Sequence, residues 1–248
     1  MSIESPKDLE GLVAAGKVVR MALDAMREQV RPGITTGELN EIAGKVFRQN
    51  GARSAPKLVY GFPGEACISV NDEAVHGIPG ERVLCEGDLV KLDVTIEKDG
   101  YMADAAVTVG VPPVSDLKQR LLECARSAFY RALRSAKAGE RVNEIGRTVE
   151  AHVRKAGFSV IRELAGHGIG RLIHEEPTVP NYYDLTQRRR LTEGLVITIE
   201  PIIAARRPAV VEERDGWTIR TADRSPSAHY EHTIVITRGR PMILTAAA

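Results

Sequence analysis

The chain has 248 residues, 43% of them apolar, with 34 Lys and Arg against 33 Asp and Glu for a net charge of +1. That length and composition can bury a core and exclude a disordered chain, and the near-neutral charge leaves no footprint for sequence-independent nucleic-acid binding. Three cysteines, Cys67, Cys85 and Cys124, with no close pair, point away from a disulfide framework or zinc ribbon and toward a reducing compartment; the polar start Met1-Ser2-Ile3-Glu4 and the lack of a run of ~18 apolar residues predict a cytoplasmic protein with no membrane segment.

Ser5 can cap a helix with Pro6 at its first position, and Leu9, Leu12, Val13, Val19, Leu23 and Met26 form its apolar stripe before Arg31-Pro32-Gly33 stops it. Thr35 with Glu38 reads as a capping box that opens a second helix, with Leu39, Ile42, Ala43, Val46 and Phe47 inside and Gly51 at its end. Val90, Leu92, Val94 and Ile96 alternate with Lys91, Asp93 and Thr95, the period of a strand with one buried face, which turns Asp93 away from the apolar side. Asp99-Gly100 is a two-residue hairpin signal leading into a strand from Met102 to Val109. With that loop, residue 98 pairs with 101 and 93 with 106, so Asp104 shares a face with Asp93 as its diagonal neighbour at roughly 7–8 Å. A three-residue loop would shift the parity and part them.

A helix from about Asp116 to Ala136, carrying Leu117, Leu121, Leu122, Ala125, Phe129 and Leu133, precedes another that runs to Gly157. Gly166-His167-Gly168-Ile169-Gly170 follows, its glycines suited to close backbone approach around the imidazole. Ile197-Thr198-Ile199-Glu200-Pro201 and Glu231-His232-Thr233-Ile234 are two more alternating segments that carry acids. An offset of 106 residues aligns Gly33 with Gly139, Glu38 with Glu144 and Gly51 with Gly157, and an offset of 107 aligns Asp93 with Glu200. One α-α-β unit used twice is the simplest account. It predicts an α/β (α+β) domain over residues 1–248, with halves of about 1–110 and 111–248 sharing an antiparallel sheet and helices outside. No linker divides them; Val111-Pro112-Pro113 is only the crossover.

A single acid on an alternating strand is best read as part of a solvated face. Four acids, Asp93, Asp104, Glu200 and Glu231, with His167 between the two pairs, are better explained by divalent cations, because converging like charges repel unless neutralised. Other motifs fail. Gly11 to Lys17 resembles a phosphate loop, but Val18 replaces the required hydroxyl and the segment lies in a helix. Gly166, Gly168 and Gly170 lack dinucleotide-loop spacing. There is no Gly-x-Ser-x-Gly elbow, and His174-Glu175-Glu176-Pro177 ends wrongly for a zinc helix.

Asn71 to Pro79, Lys91-Leu92-Asp93-Val94-Thr95, Gly166-His167-Gly168-Ile169-Gly170, Ile197-Thr198-Ile199-Glu200-Pro201 and Tyr230-Glu231-His232-Thr233 resemble, in order over nearly the whole chain, the motifs of type I methionine aminopeptidases. The resemblance implies the pita-bread fold, a pseudo-twofold repeat around a curved antiparallel sheet. It also implies hydrolysis of the initiator methionine from peptides with a small second residue, by water activated on two divalent ions. On that basis Asp93, Asp104, His167, Glu200 and Glu231 are the metal ligands, with Asp104 and Glu231 bridging. Glu200 is then the proton shuttle, and His76 and His174 contact substrate around the scissile amide. Phe62, Cys67 and Trp217 line the methionine pocket, for which core packing is an equal alternative. Val75, where a cysteine is common, and Ile173, where an aromatic is frequent, alter that pocket's shape. His152 and His232 are read as structural.

An oxygen-rich set with one nitrogen favours manganese or iron(II) over structural zinc, with cobalt a further candidate. The expected partners are nascent peptide N-termini, with the ribosome a candidate through Arg188-Arg189-Arg190, whose plainer reading is a solvated loop; a monomer is expected. Small Ser2 makes Met1 a candidate substrate of the enzyme itself. Two rivals share the fold: a proline-specific peptidase, which usually carries an added N-terminal domain, and a binding module, which generally loses ligands.

Overall fold

A computed structural model describes residues 1–246. Helix α1 spans Pro6–Gln29; the Ser5 side chain accepts a hydrogen bond from the Asp8 N–H, and Pro6 sits where no intrahelical N–H is needed. Its buried stripe, Leu12, Ala15, Val19, Ala22, Leu23 and Met26, lies against the hairpin strands Leu89–Lys98 and Tyr101–Gly110. Val13, expected inside, is 45% exposed, because the stripe follows positions three and four apart and 13 falls beside it. Helix α2, Thr36–Gln49, opens with the expected capping box: the Glu38 N–H donates to Thr35 Oγ1, and the Thr35 N–H donates to Glu38 Oε2 at 2.8 Å. A short helix α3, Ala55–Tyr60, follows.

The hairpin has the predicted register, with Lys98 opposite Tyr101, Asp93 opposite Ala106 and Thr95 opposite Asp104. Asp99 and Gly100 have φ of 52° and 81°, the left-handed pair that a two-residue turn needs to follow the strand twist. One expectation fails here. Both faces of the Leu89–Lys98 strand are covered: Lys91 is 1% exposed and Thr95 5%. The Lys91 ammonium donates to the Asn71 carbonyl at 2.6 Å and to Ser227, so the alternation marks an apolar and a polar buried face. Burial pushes this amine down to about 7.

The second half repeats the order. Helix α4, Asp116–Leu133, stops three residues before Ala136, and Leu117 is 43% exposed in its first turn. Helix α5, Val142–Lys155, has Arg141 at its N-cap and no side-chain hydrogen bond there; the fully buried Val142, Ile145, Val149 and Val153 hold it on α4 and the sheet. Strands Ala165–Gly168, Val196–Ile199 and His232–Val235 lie side by side, antiparallel. The two hydrogen-bonded ladders meet where Ala106 and Glu231 exchange backbone bonds, the Glu231 N–H donating to the Ala106 carbonyl at 2.8 Å. The Asp104 N–H also donates to Thr233 Oγ1 at 2.9 Å. This seam joins the halves into one curved surface, with a helical core cluster behind each. Among the described residues no helix is long and apolar enough to cross a membrane.

The Asp8 carboxylate ties the helical layer to the hairpin. Ser5, the Glu4 N–H, Tyr101 and Arg171 donate to it, and these bonds, Ser5 foremost, lower its pKa to about 2. A carboxyl depressed on folding stabilises fully above its unfolded pKa, and that contribution fades as pH falls through the folded value. Thermal melts should therefore show Asp8→Asn below the native chain at pH 5, with the gap closing as pH approaches 2. A gap unchanged across that range would contradict the assignment.

Candidate active site

Asp93, Asp104, His167, Glu200 and Glu231 line one cavity of about 270 Å³, together with His76, His174, Phe62, Cys67 and Trp217. Each acid is delivered by a strand or by a strand end near the seam. Asp93 and Asp104 project from the same face of the hairpin, Glu200 follows the Val196–Ile199 strand, and Glu231 precedes His232–Val235. Asp104, Glu200 and Glu231 are 7%, 8% and 2% exposed. Burial, and after it the charge of Glu231, hold the carboxyls of Asp104 and Glu200 well above the usual range; burial followed by Asp93 does the same to Glu231.

His167 is set by its surroundings. Its backbone N–H donates to Thr198 Oγ1 at 3.0 Å, and the Thr198 hydroxyl donates to Glu200 Oε1 at 2.9 Å. Its Nδ1 lies 2.8 Å from the Gly168 carbonyl, which fixes the proton on Nδ1 and turns the bare Nε2 toward Glu200 Oε1, 3.7 Å away. Burial lowers this imidazole to about 4, so it is neutral and free to bind a cation. The flanking glycines are required by space: a Cβ on Gly166 would lie 2.7 Å from the Thr198 carbonyl oxygen, and one on Gly168 would lie 2.9 Å from that of Glu175 and closer to that of Glu176. Gly168→Ala should cost about 2 kcal/mol or more and weaken divalent-ion binding by turning His167. Urea melts and ion titration calorimetry check both effects, and native ion affinity would show that the glycine matters only for packing.

The residues fit divalent cations. Ligating atoms of Asp104, His167 and Glu231 lie within 4.8 Å of one another, as do those of Glu200, His229 and Glu231. Asp104 Oδ1, Glu231 Oε1 and both nitrogens of His229 are buried without a hydrogen-bond partner among the described residues. Buried acceptors left unpaired are costly, and carboxylate oxygen with neutral imidazole is a donor set for divalent first-row ions.

The remaining expected residues are close by. His76, φ 58°, sits in a strained left-handed conformation just past Glu73–Val75 and is exposed to the cavity. His174 packs on His167 with ring centroids 4.4 Å apart. Phe62, 1% exposed, meets Trp217 edge to face at 5.2 Å, and Cys67, 5% exposed, stands opposite Asp93 in the ladder. Val75 and Ile173 line the cavity as well. His152 is elsewhere, 2.6 Å from Ser127 Oγ, and His232 faces Thr245 Oγ1 at 2.8 Å behind the seam. Met1 is engaged too: its ammonium donates to the Ile169 carbonyl and pairs with Glu175.

Tyr60, Ile202 and His229 are among the cavity residues that sequence reasoning passed over. Tyr60, at the end of α3, places its hydroxyl 2.7 Å from His174 Nδ1, and no spacing in the sequence links them. Ile202 adds apolar wall to the cavity. His229, two positions before Glu231, faces the acids, and strand alternation could have found it.

The model of metallopeptidase family M24 matches residues 10–238. A relative named methionine aminopeptidase 2, from Bacillus subtilis, is 43% identical over 247 residues, covering 99% of each chain. The crystal structure of a methionine aminopeptidase from Thermotoga maritima superposes with a TM-score of 0.96 at 36% identity, covering 100% of both chains. A prolidase from Pyrococcus furiosus shares the fold, with a TM-score of 0.80 at 23% identity, over 99% of this chain and 66% of that one.

Proposed function

The chain belongs to metallopeptidase family M24, and from that premise we propose how its cavity removes the N-terminal methionine from a peptide. It is an aminopeptidase, a hydrolase that depends on metal. The observation that carries the site reading is the convergence of four buried or half-buried carboxylates and a neutral imidazole on one cavity, with acceptor oxygens left unpaired among the described residues.

Asp93, Asp104, His167, Glu200 and Glu231 would hold two divalent ions. Bound there, the ions lower the pKa of water and polarise the scissile carbonyl. Glu200 takes the proton of the attacking water at a carboxylate oxygen and delivers it to the leaving amine, while the Thr198 hydroxyl bonded to Oε1 holds the carboxylate in place. The Tyr60 phenol, a stronger acid than imidazole N–H, donates to His174 Nδ1. That leaves the His174 proton on Nε2, as a donor for the oxygen that gains charge as the amide is attacked. His76, which lines the same cavity, reaches over the substrate. Phe62, Cys67 and Trp217 receive the methionine side chain, whose thioether packs favourably at ring edges.

Manganese or iron(II) suits this oxygen-rich set, with cobalt a third candidate. Residues 1–248 act as one catalytic domain built from two halves, about 1–110 and 111–248. The enzyme works as a monomer in the cytoplasm on nascent peptide N-termini with a small second residue. Arg188, Arg189 and Arg190, all exposed, are its candidate contact with the ribosome.

Parallel assays with Met-Ala-Ser and Ala-Pro peptides and the manganese-loaded protein test the substrate assignment. Release of methionine with no cleavage before proline is the expected outcome. The reverse preference would transfer the site to proline-specific hydrolysis.

A further inference from the structure

We infer that His229 is a sixth ligand of the metal centre, so that each of the two ions carries one imidazole, His167 on one and His229 on the other. The inference rests on the reading of this cavity as a dinuclear divalent-metal site. His229 closes the Ser227–His229 strand two residues before Glu231, and both side chains line the cavity. It is 2% exposed, and neither ring nitrogen has a hydrogen-bond partner among the described residues. A structural histidine in this fold looks different: His232, one residue past Glu231, has Nδ1 2.8 Å from the Thr245 hydroxyl and Nε2 3.3 Å from that of Tyr230.

Spacing points the same way. Two atoms bound at ~2.1 Å to one ion stand ~3.0 Å apart at a right angle and ~3.4 Å apart at a tetrahedral angle. His229 Nε2 lies 3.2 Å from Glu231 Oε2 and 3.9 Å from Glu200 Oε2. On the other side His167 Nε2 lies 3.7 Å from Glu200 Oε1. The two groups of close ligating atoms, Asp104 with His167 and Glu231, and Glu200 with His229 and Glu231, have only Glu231 in common. That is the pattern of two ions joined by one carboxylate, each with its own nitrogen. A second nitrogen moves the donor set toward the later first-row metals, so cobalt should gain on manganese by comparison with a single-imidazole centre.

Proton NMR of the protein loaded with two equivalents of cobalt(II) counts the imidazoles, because each cobalt-bound ring gives one strongly shifted, solvent-exchangeable N–H signal. Two such signals are expected in the native chain and one in His229→Gln. Titration calorimetry should show one of the two ions bound at least ~10-fold more weakly in that variant. A metal-free circular dichroism melt matching the native chain would attribute those losses to ligation. One shifted signal in the native chain, unchanged in His229→Gln with both affinities intact, would overturn the inference while leaving the dinuclear site standing. No cobalt binding by the native chain would overturn the site reading and this inference with it.

Discussion

Asp104→Asn is expected to lower metal-dependent release of methionine by ~10³-fold or more, beyond the ~10–100-fold typical of residues that only support a ligand. Asp104 sits at the centre of the seam. Its backbone N–H is held by Thr233, Oδ1 is buried without a partner among the described residues, and Glu231, Asp93 and Glu200 all press their charge on its carboxyl. The amide keeps the volume and removes one negative charge from a crowded, buried set. The same change should therefore leave the metal-free protein at least as stable as the native chain. It should also cut the rise in melting temperature that divalent ions produce by mass action. Calorimetric scans with and without manganese, beside steady-state assays, separate the two effects. A metal-free variant that melts well below the native chain would make Asp104 a structural residue and not a ligand.

His174→Ala is expected to lower kcat by ~10²–10³-fold, the usual loss when one donor to a developing oxyanion is removed, with KM within a few-fold of native. His174 is exposed in the cavity lining, packed on His167 and hydrogen-bonded to Tyr60, and lies outside both close-set groups of ligating atoms. Loss of the ring therefore removes transition-state stabilisation and leaves ion binding intact. Ion titration calorimetry is the discriminating control. A fall in affinity as large as that of Asp104→Asn would place His174 among the ligands.

The hairpin was legible because two local signals agreed: alternation from Val90 to Ile96 set the faces, and Asp99-Gly100 set the loop length, so the Asp93–Ala106 register followed. The helix pairs were legible from caps and stripes, as at Thr35 and Glu38. The end of α4 was not, since nothing in Arg134-Ser135-Ala136 breaks a helical pattern; there the chain leaves the helix, and the Ala138 N–H bonds to the Thr237 carbonyl. Alternation also cannot say what covers a face, and so Lys91 read as solvated although Asn71 and Ser227 enclose it. Tyr60 and His174 are 114 residues apart and meet only in the folded chain. His229 was within reach of the same alternation that found Glu231. The neighbouring His232 drew the reading, and a period of two separates those histidines clearly: 229 shares a face with 231, and 232 lies behind it.

The most direct test of the central claim is release of free methionine from Met-Ala-Ser by metal-stripped protein, with manganese, iron(II) or cobalt restored under reducing conditions, beside Asp104→Asn. A dinuclear hydrolytic site predicts no release without metal, release on restoring at least one of these ions, and loss of that release in the variant. Silence of the native chain with every ion would contradict it, as would cleavage that persists unchanged in Asp104→Asn.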